Sequence, residues 1–189
     1  MAIVFVGGAR TAGKSQSLRS LMASFPRAGH LELATTVRLT APRAKFNGGV
    51  KMRNLSKGFQ LKAVGEILDR LGAESKERLV FVDGHFTSSV NRTKKPAFFP
   101  VLRRAAHVFD LIVLVKSTPE QIVLRRSAKG NKPRELNVVR AEVGAEEKEA
   151  RALAKKHGKE LVVCRPEQFA ELMKQKLAQM GILRPGRRP

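Results

Sequence analysis

Near the amino terminus, Gly8-Ala9-Arg10-Thr11-Ala12-Gly13-Lys14-Ser15 sets two glycines five positions apart and follows the second with a lysine and a hydroxyl. This spacing constrains the fold because its chemistry works only between a strand and a helix. The glycines let the backbone turn tightly, so that its N–H groups and the amino end of the helix close around an anion. The lysine then reaches the β- and γ-phosphates of a nucleotide, and the hydroxyl meets a magnesium ion. Both flanks satisfy the requirement. Ala2 to Val6 is a short β-rich run that stops at Gly7-Gly8, and a helix is expected from Lys14 to about Phe25, closed by Pro26. Gly8, Ala9, Arg10, Thr11, Ala12, Gly13, Lys14, Ser15 and Gln16 are therefore expected around the phosphates of ATP, with Mg²⁺ as the accompanying ion.

The rest of the chain alternates short apolar runs with longer amphipathic ones, which is the pattern of strand–helix–strand units around a parallel sheet. Further strands are expected at Leu31 to Thr35, Leu79 to Val82, Asp110 to Val115 and Leu161 to Val163. Helices are expected from about Phe59 to Leu71, from Phe98 to Ala106, after Ser117-Thr118-Pro119-Glu120, from Asn137 to Lys156, and from Pro166 to Met180. The fold class is thus α/β, a P-loop nucleoside-triphosphatase fold with a five-stranded parallel sheet flanked by helices. One domain over 1–189 carries two basic segments, about 36–58 and about 126–136, read as flaps. A chain of 189 residues buries a sizeable core unaided. No apolar stretch approaches the ~20 residues of a membrane span, no export signal is read, and the single cysteine, Cys164, excludes an internal disulfide or Cys-rich zinc site. The expected location is the cytoplasm.

A nucleotide with magnesium needs a second metal-side group at the end of a neighbouring strand, and Asp83, after Leu79-Val80-Phe81-Val82, supplies a carboxylate there. The alternative for Asp83 is an aspartate that starts a turn with Gly84, and His85 is equally compatible with a structural hydrogen bond. Arg125, Arg126 and Arg134 surround Lys129 and Lys132. Planar guanidinium groups there could clamp the three equatorial oxygens of a moving phosphoryl group, or simply cap a solvated helix end.

The chain carries 37 Lys+Arg against 16 Asp+Glu, a formal net charge of +21. The excess is unevenly placed. No acid occurs in 33–65, which holds Arg38, Arg43, Lys45, Lys51, Arg53, Lys57 and Lys62, or in 84–109, which holds Arg92, Lys94, Lys95, Arg103 and Arg104; Arg184, Arg187 and Arg188 follow in the tail. Such a balance implies a polyanionic partner or substrate. With no Trp or Tyr, contact with RNA would be mainly electrostatic.

Together these residues resemble the archaeal adenylate kinases, a branch of the P-loop nucleoside monophosphate kinases. The likeness extends to Met52-Arg53 with Gln60, to Asp83-Gly84-His85, to Asp110-Leu111-Ile112-Val113-Leu114-Val115, and to Arg125-Arg126 leading into a short lid. The resemblance implies ATP + AMP → 2 ADP with magnesium. It places Lys14, Arg126 and Arg134 on the transferring phosphate, Arg125 on ATP, Arg38, Arg53, Gln60 and His85 at AMP, and Ser15 and Asp83 at the metal, and it implies a trimer. The sequence departs from the family at Arg10 and Thr11, where a Pro–Gly pair is usual, at Gln16, where Thr is usual, and at Lys132-Pro133-Arg134-Glu135, which stands for an R-x-R-D element. The basic intervals leave a second reading open, an ATP-binding factor of kinase fold that associates with RNA or the ribosome.

Overall fold

The structure, a computed structural model, describes residues 2–40, 55–74, 79–88, 97–98, 102, 106–130 and 135–182. Strand β1 (Ala2–Gly7) is buried along its whole length, as a strand in the middle of a parallel sheet must be. Its side chains alternate between two cores. Ile3 and Phe5 face one, while Val4 and Val6 face the other.

Around β1 lie β2 (Gly29–Glu32), β3 (Leu79–Asp83), β6 (Leu111–Val115) and β7 (Glu160–Cys164), in the order β2-β3-β1-β6-β7. Every pairing is parallel. A pair of two-residue strands, β4 (Thr87–Ser88) and β5 (Ala97–Phe98), forms a separate antiparallel ribbon. The expected five-stranded parallel sheet is thus the observed one. Its β1–β6 register is fixed at Asp110, whose carboxylate accepts from the Ile3 N–H at 2.8 Å while its own N–H donates to the Ile3 carbonyl at 2.8 Å.

Helices cover both faces. The first core joins the sheet to α2 (Leu33–Thr40), α3 (Lys57–Glu74) and α5 (Leu136–His157) through Leu33, Val37, Val64, Leu68, Ala150 and Leu153. The second joins it to α1 (Lys14–Met22) and α6 (Phe169–Gln179) through Leu18, Leu21, Phe169, Met173 and Leu177. A small third cluster, Ala9, Ala12, Ile122 and Val139, packs the phosphate-loop segment against α5 and α4 (Pro119–Ala128). Burying an aromatic such as Phe5 contributes about 2–3 kcal/mol, and Phe5 also packs on Phe86 and Phe109 with centroids 5.1 and 5.0 Å away.

Three expectations shift. The second strand ends at Glu32 and α2 begins at once, because Leu33 and Val37 lie four apart and bury one helical face. The Thr36–Thr40 part of the expected excursion is therefore helix. Phe98, expected to open a helix, pairs with Thr87 in the ribbon; Leu102 within the span is helical as expected, and the described end is a 3-10 turn at Ala106–Val108. Arg53, Lys132 and Arg134 lie outside the described residues, as do Arg43, Lys45, Lys51, Arg92, Lys94, Lys95, Arg103, Arg104 and the arginines of the tail.

Candidate active site

The loop between β1 and α1 is built from backbone conformations that few side chains tolerate. Gly8 has φ 143° and Gly13 has φ 105°, while Thr11 adopts φ 66° without being glycine. A Cβ on Gly8 would stand 2.3 Å from the Val115 carbonyl oxygen, so a side chain there would push the loop off β6. Helix α4 begins with a complete capping box, Thr118 with Gln121. Helix α1 has no side chain on its amino end, where Gly13 leaves the first turn facing the loop. That arrangement suits an anion.

Lys14 lies across this loop and is only 6% exposed. Its ammonium donates to the Gly8 carbonyl at 2.8 Å and the Ala9 carbonyl at 3.3 Å. Burial pushes its pKa below the usual lysine value, and the negative charges of Asp83 and Glu146 oppose that. Ser15, at the start of α1, donates from its hydroxyl to Asp83 Oδ2 at 3.2 Å. Asp83 stands at the end of β3 in register with Val6 of β1 and Glu32 of β2. Burial raises its pKa, and Lys14 and the Ser15 hydroxyl hold it down.

His85 follows two residues later. Its Nδ1 lies 2.7 Å from the Gly8 carbonyl oxygen and 3.5 Å from the Lys14 ammonium. A carbonyl only accepts, so Nδ1 carries the proton, and burial beside Lys14 drives the ring's pKa down to about 3. The imidazole is therefore neutral near pH 7. Expected at the monophosphate, it sits against the phosphate loop.

The arginines of α4 close the other side. Arg125 donates to the Ala12 carbonyl at 3.1 Å and the Ser117 hydroxyl at 2.9 Å. Arg126, 6% exposed, donates to the Arg10 carbonyl at 3.1 Å, the Thr11 hydroxyl at 3.3 Å and Glu142 at 2.7 Å. Its remaining terminal nitrogen is buried without a hydrogen-bond partner among the described residues. A buried guanidinium N–H without a partner is costly, and an anion at the loop would relieve that cost. The Arg10 and Gln16 side chains are exposed at the loop.

Beside the loop, a cavity of about 500 Å³ lies at the carboxyl ends of β6 and β7, lined by Lys116, Thr118, Gln121, Cys164, Arg165 and Gln168 among others. It is open to solvent and has room for a nucleoside. Across the sheet, Arg38 is exposed on α2 and bonds to Thr35 at 2.8 Å. Gln60 is buried at the start of α3, donating to the Leu55 carbonyl at 2.9 Å. The structure thus gathers Lys14, Ser15, Asp83, His85, Arg125 and Arg126 at the loop, with Arg38 and Gln60 on the β2–β3 side.

One site residue escaped the sequence reading. Glu146 of α5, 3% exposed, reaches the turn after Asp83 with both carboxylate oxygens. The signal was present, since Val139, Val143, Glu146, Ala150 and Leu153 form one helical stripe, and a carboxylate on an apolar stripe is rare without a partner.

Among the described residues, no helix is long and apolar enough to cross a membrane. No group of three or more His, Cys, Asp or Glu among them could hold a metal unaided. No family model and no curated protein matches the chain. Solved structures do. A shikimate kinase from Acinetobacter baumannii, in complex with shikimate, is 15% identical and superposes with a TM-score of 0.58 over 96% of this chain and 93% of its own. A shikimate kinase from Bacteroides thetaiotaomicron, 12% identical, gives 0.54 over 96% and 99%. A gluconokinase from Sinorhizobium meliloti 1021, 16% identical, gives 0.54 over 96% and 92%. The chain shares the P-loop kinase fold of these proteins.

Proposed function

We propose that this chain is a cytoplasmic ATP-dependent phosphotransferase of the adenylate kinase type, moving the γ-phosphate of ATP to AMP. The observation that carries the reading is the convergence of Lys14, Arg126 and the Ser15–Asp83 pair on one glycine-built loop. Three features fit a nucleotide with its metal. The Gly8 position has no room for a Cβ, Arg126 keeps a buried N–H without a partner among the described residues, and Ser15 and Asp83 place a hydroxyl and a carboxylate together. Ser15 and Asp83 are the residues that would hold Mg²⁺, which neutralises charge on the β- and γ-phosphates when bound. A site with so few protein oxygens suits magnesium, which keeps waters and substrate phosphates as its other ligands.

The chain's own residues then act by placement and charge. The loop backbone and the first turn of α1 bind the phosphates. Lys14 exchanges its carbonyl partners for phosphate oxygens, and Arg126 turns its buried N–H groups on the charge that spreads over the transferring group. The 500 Å³ cavity beside β7 takes the nucleoside, next to Arg125. AMP is supported as the acceptor by the resemblance at Met52-Arg53 and Gln60 and by the acid-free interval 33–65 of the sequence. An anionic phosphate attacks without a general base, and the neutral His85 is too weakly basic to serve as one.

The test is ADP formation from ATP and Mg²⁺ with AMP, CMP, UMP, GMP, shikimate or gluconate, against ATP alone and ATP with RNA. AMP-dependent ADP formation that Lys14→Ala abolishes is the expected outcome. Turnover with shikimate or gluconate alone would overturn the acceptor. The net charge of +21 favours a second reading, a kinase-fold factor on RNA. That reading gains if only RNA stimulates hydrolysis, with affinity falling steeply in salt.

A further inference from the structure

The turn that follows β3 sets two groups of the phosphate site, Asp83 and His85, and contacts with four residues, Val6, Gly7, Gly8 and Glu146, hold it. The Gly84 N–H donates to the Val6 carbonyl at 3.0 Å, and His85 donates to the Gly8 carbonyl at 2.7 Å. Phe86 then turns its ring beneath Gly7, so closely that a Cβ on Gly7 would stand 2.2 Å from it. The far end of the turn belongs to Glu146. One oxygen accepts from the Phe86 N–H at 3.0 Å; the other accepts from the Thr87 N–H at 2.9 Å and the Thr87 hydroxyl at 2.5 Å.

A buried carboxylate is an expensive way to satisfy two backbone N–H groups, because taking its charge out of water costs several kcal/mol before any bond is made. Its geometry accounts for it. Both oxygens are filled by donors from consecutive residues, which defines the direction of the turn as well as its distance from α5. The same charge acts on the Lys14 ammonium, opposing the effect of burial on its pKa. Glu146 also lies one helical turn from Glu142, which holds Arg126. A single face of α5 therefore reaches both walls of the phosphate site.

We propose that Glu146 is a positioning residue of the phosphate site, fixing the 85–87 turn so that His85 and Asp83 stay aligned against the loop. This rests on the phosphoryl-transfer reading for its consequence in catalysis, but not for the contact itself. Misplacing a site by an ångström costs on the order of a hundredfold in rate. Glu146→Gln puts an amide N–H against the N–H of Phe86 or Thr87, so the turn loses an anchor while the side-chain volume is kept.

The test compares wild type, Glu146→Gln, Thr87→Val, Thr87→Ser and the exposed control Lys148→Gln. In nucleotide-free protein, amide hydrogen exchange at Phe86 and Thr87 should accelerate at least about tenfold in Glu146→Gln, with Val4 and Phe5 of β1 still protected. The ¹⁵N signals of the His85 ring should shift, reporting release from Gly8. In turnover, kcat should fall on the order of a hundredfold in Glu146→Gln with the KM for Mg·ATP within about threefold. Thr87→Val should show a smaller loss, and Thr87→Ser, which keeps the hydroxyl donor, should restore it. Unchanged exchange and an unchanged His85 signal in folded Glu146→Gln would overturn the proposal, as would a loss confined to KM. If wild type transfers no phosphoryl group, the exchange and ¹⁵N measurements still decide the assignment of Glu146, and the failure belongs to the function proposed above.

Discussion

His85 shows how one residue ties the chemistry of the site to the stability of the fold. Its ring is held neutral by burial next to Lys14, with a pKa of about 3 against 6.5 for the free side chain. Between those values the unfolded chain binds a proton that the folded chain refuses. This contribution to stability is therefore full above pH 6.5 and declines as the pH falls toward 3, by about 1.4 kcal/mol per pH unit at most. Asp83 and Glu146 act in the opposite sense, since burial raises their pKa values and the folded state takes up their protons first. The difference between wild type and His85→Gln isolates the histidine. In denaturant melts from pH 7 to pH 4, the stability of wild type relative to His85→Gln should fall steadily. A difference that stays flat with pH would mean that the imidazole takes up its proton as readily in the folded protein as in the unfolded chain, and that burial beside Lys14 does not hold it neutral.

At the scale of elements, α4 and α5 make one assembly through the Arg126–Glu142 pair, with side chains only 7% and 15% exposed. Removing one member of a buried pair strands the other, at a cost of about 3–5 kcal/mol. Glu142→Ala should lose stability on that scale in thermal melts, and Arg126→Met with Glu142→Ala should lose less than the sum of the single changes, because no lone charge is left inside. Additive losses would show that the pair is not coupled. The same elements mark what could be read from the chain beforehand. The loop, β1, β3, β6, α1 and α4 were legible because each is set by local signals: the glycine spacing, short apolar runs between turn residues, and Thr118-Pro119 at a helix start. Helix α2 was not, since only Leu33 and Val37 declare it among threonines that read equally well as strand. The β4–β5 ribbon was not either, since a two-residue strand has no period to detect. For the site, Lys14, Ser15, Asp83, Arg125 and Arg126 could be placed by motif, whereas the contact of His85 with Gly8 spans 77 residues and is set by the β1–β3 register. Glu146 needed the whole apolar stripe of α5 to stand out, because its neighbours Glu147 and Glu149 resemble it in sequence and are not among the buried residues of the helix.

For the whole molecule the governing quantity is a net charge of +21 on 189 residues. Self-repulsion on this scale destabilises the compact state and is relieved by screening, for which 0.1 M salt gives a Debye length of about 10 Å. A bound polyanion acts differently, since it stabilises by mass action at a particular place. The two effects separate at matched ionic strength. Sodium chloride should raise the melting temperature gradually in wild type and in Lys14→Ala alike, because one lysine among 37 basic residues changes the overall field little. Millimolar inorganic pyrophosphate should add a further step in wild type alone. At a hundredfold excess over its dissociation constant, the gain is about 2.7 kcal/mol, or about 5–10 °C for a domain of this size. An equal pyrophosphate response in Lys14→Ala would place the anion on the general basic surface and remove the phosphate loop as the anion's principal site. A step confined to wild type would instead show that most of the +21 charge is not needed to hold the phosphates, leaving the acid-free intervals for the acceptor or for a larger anionic partner.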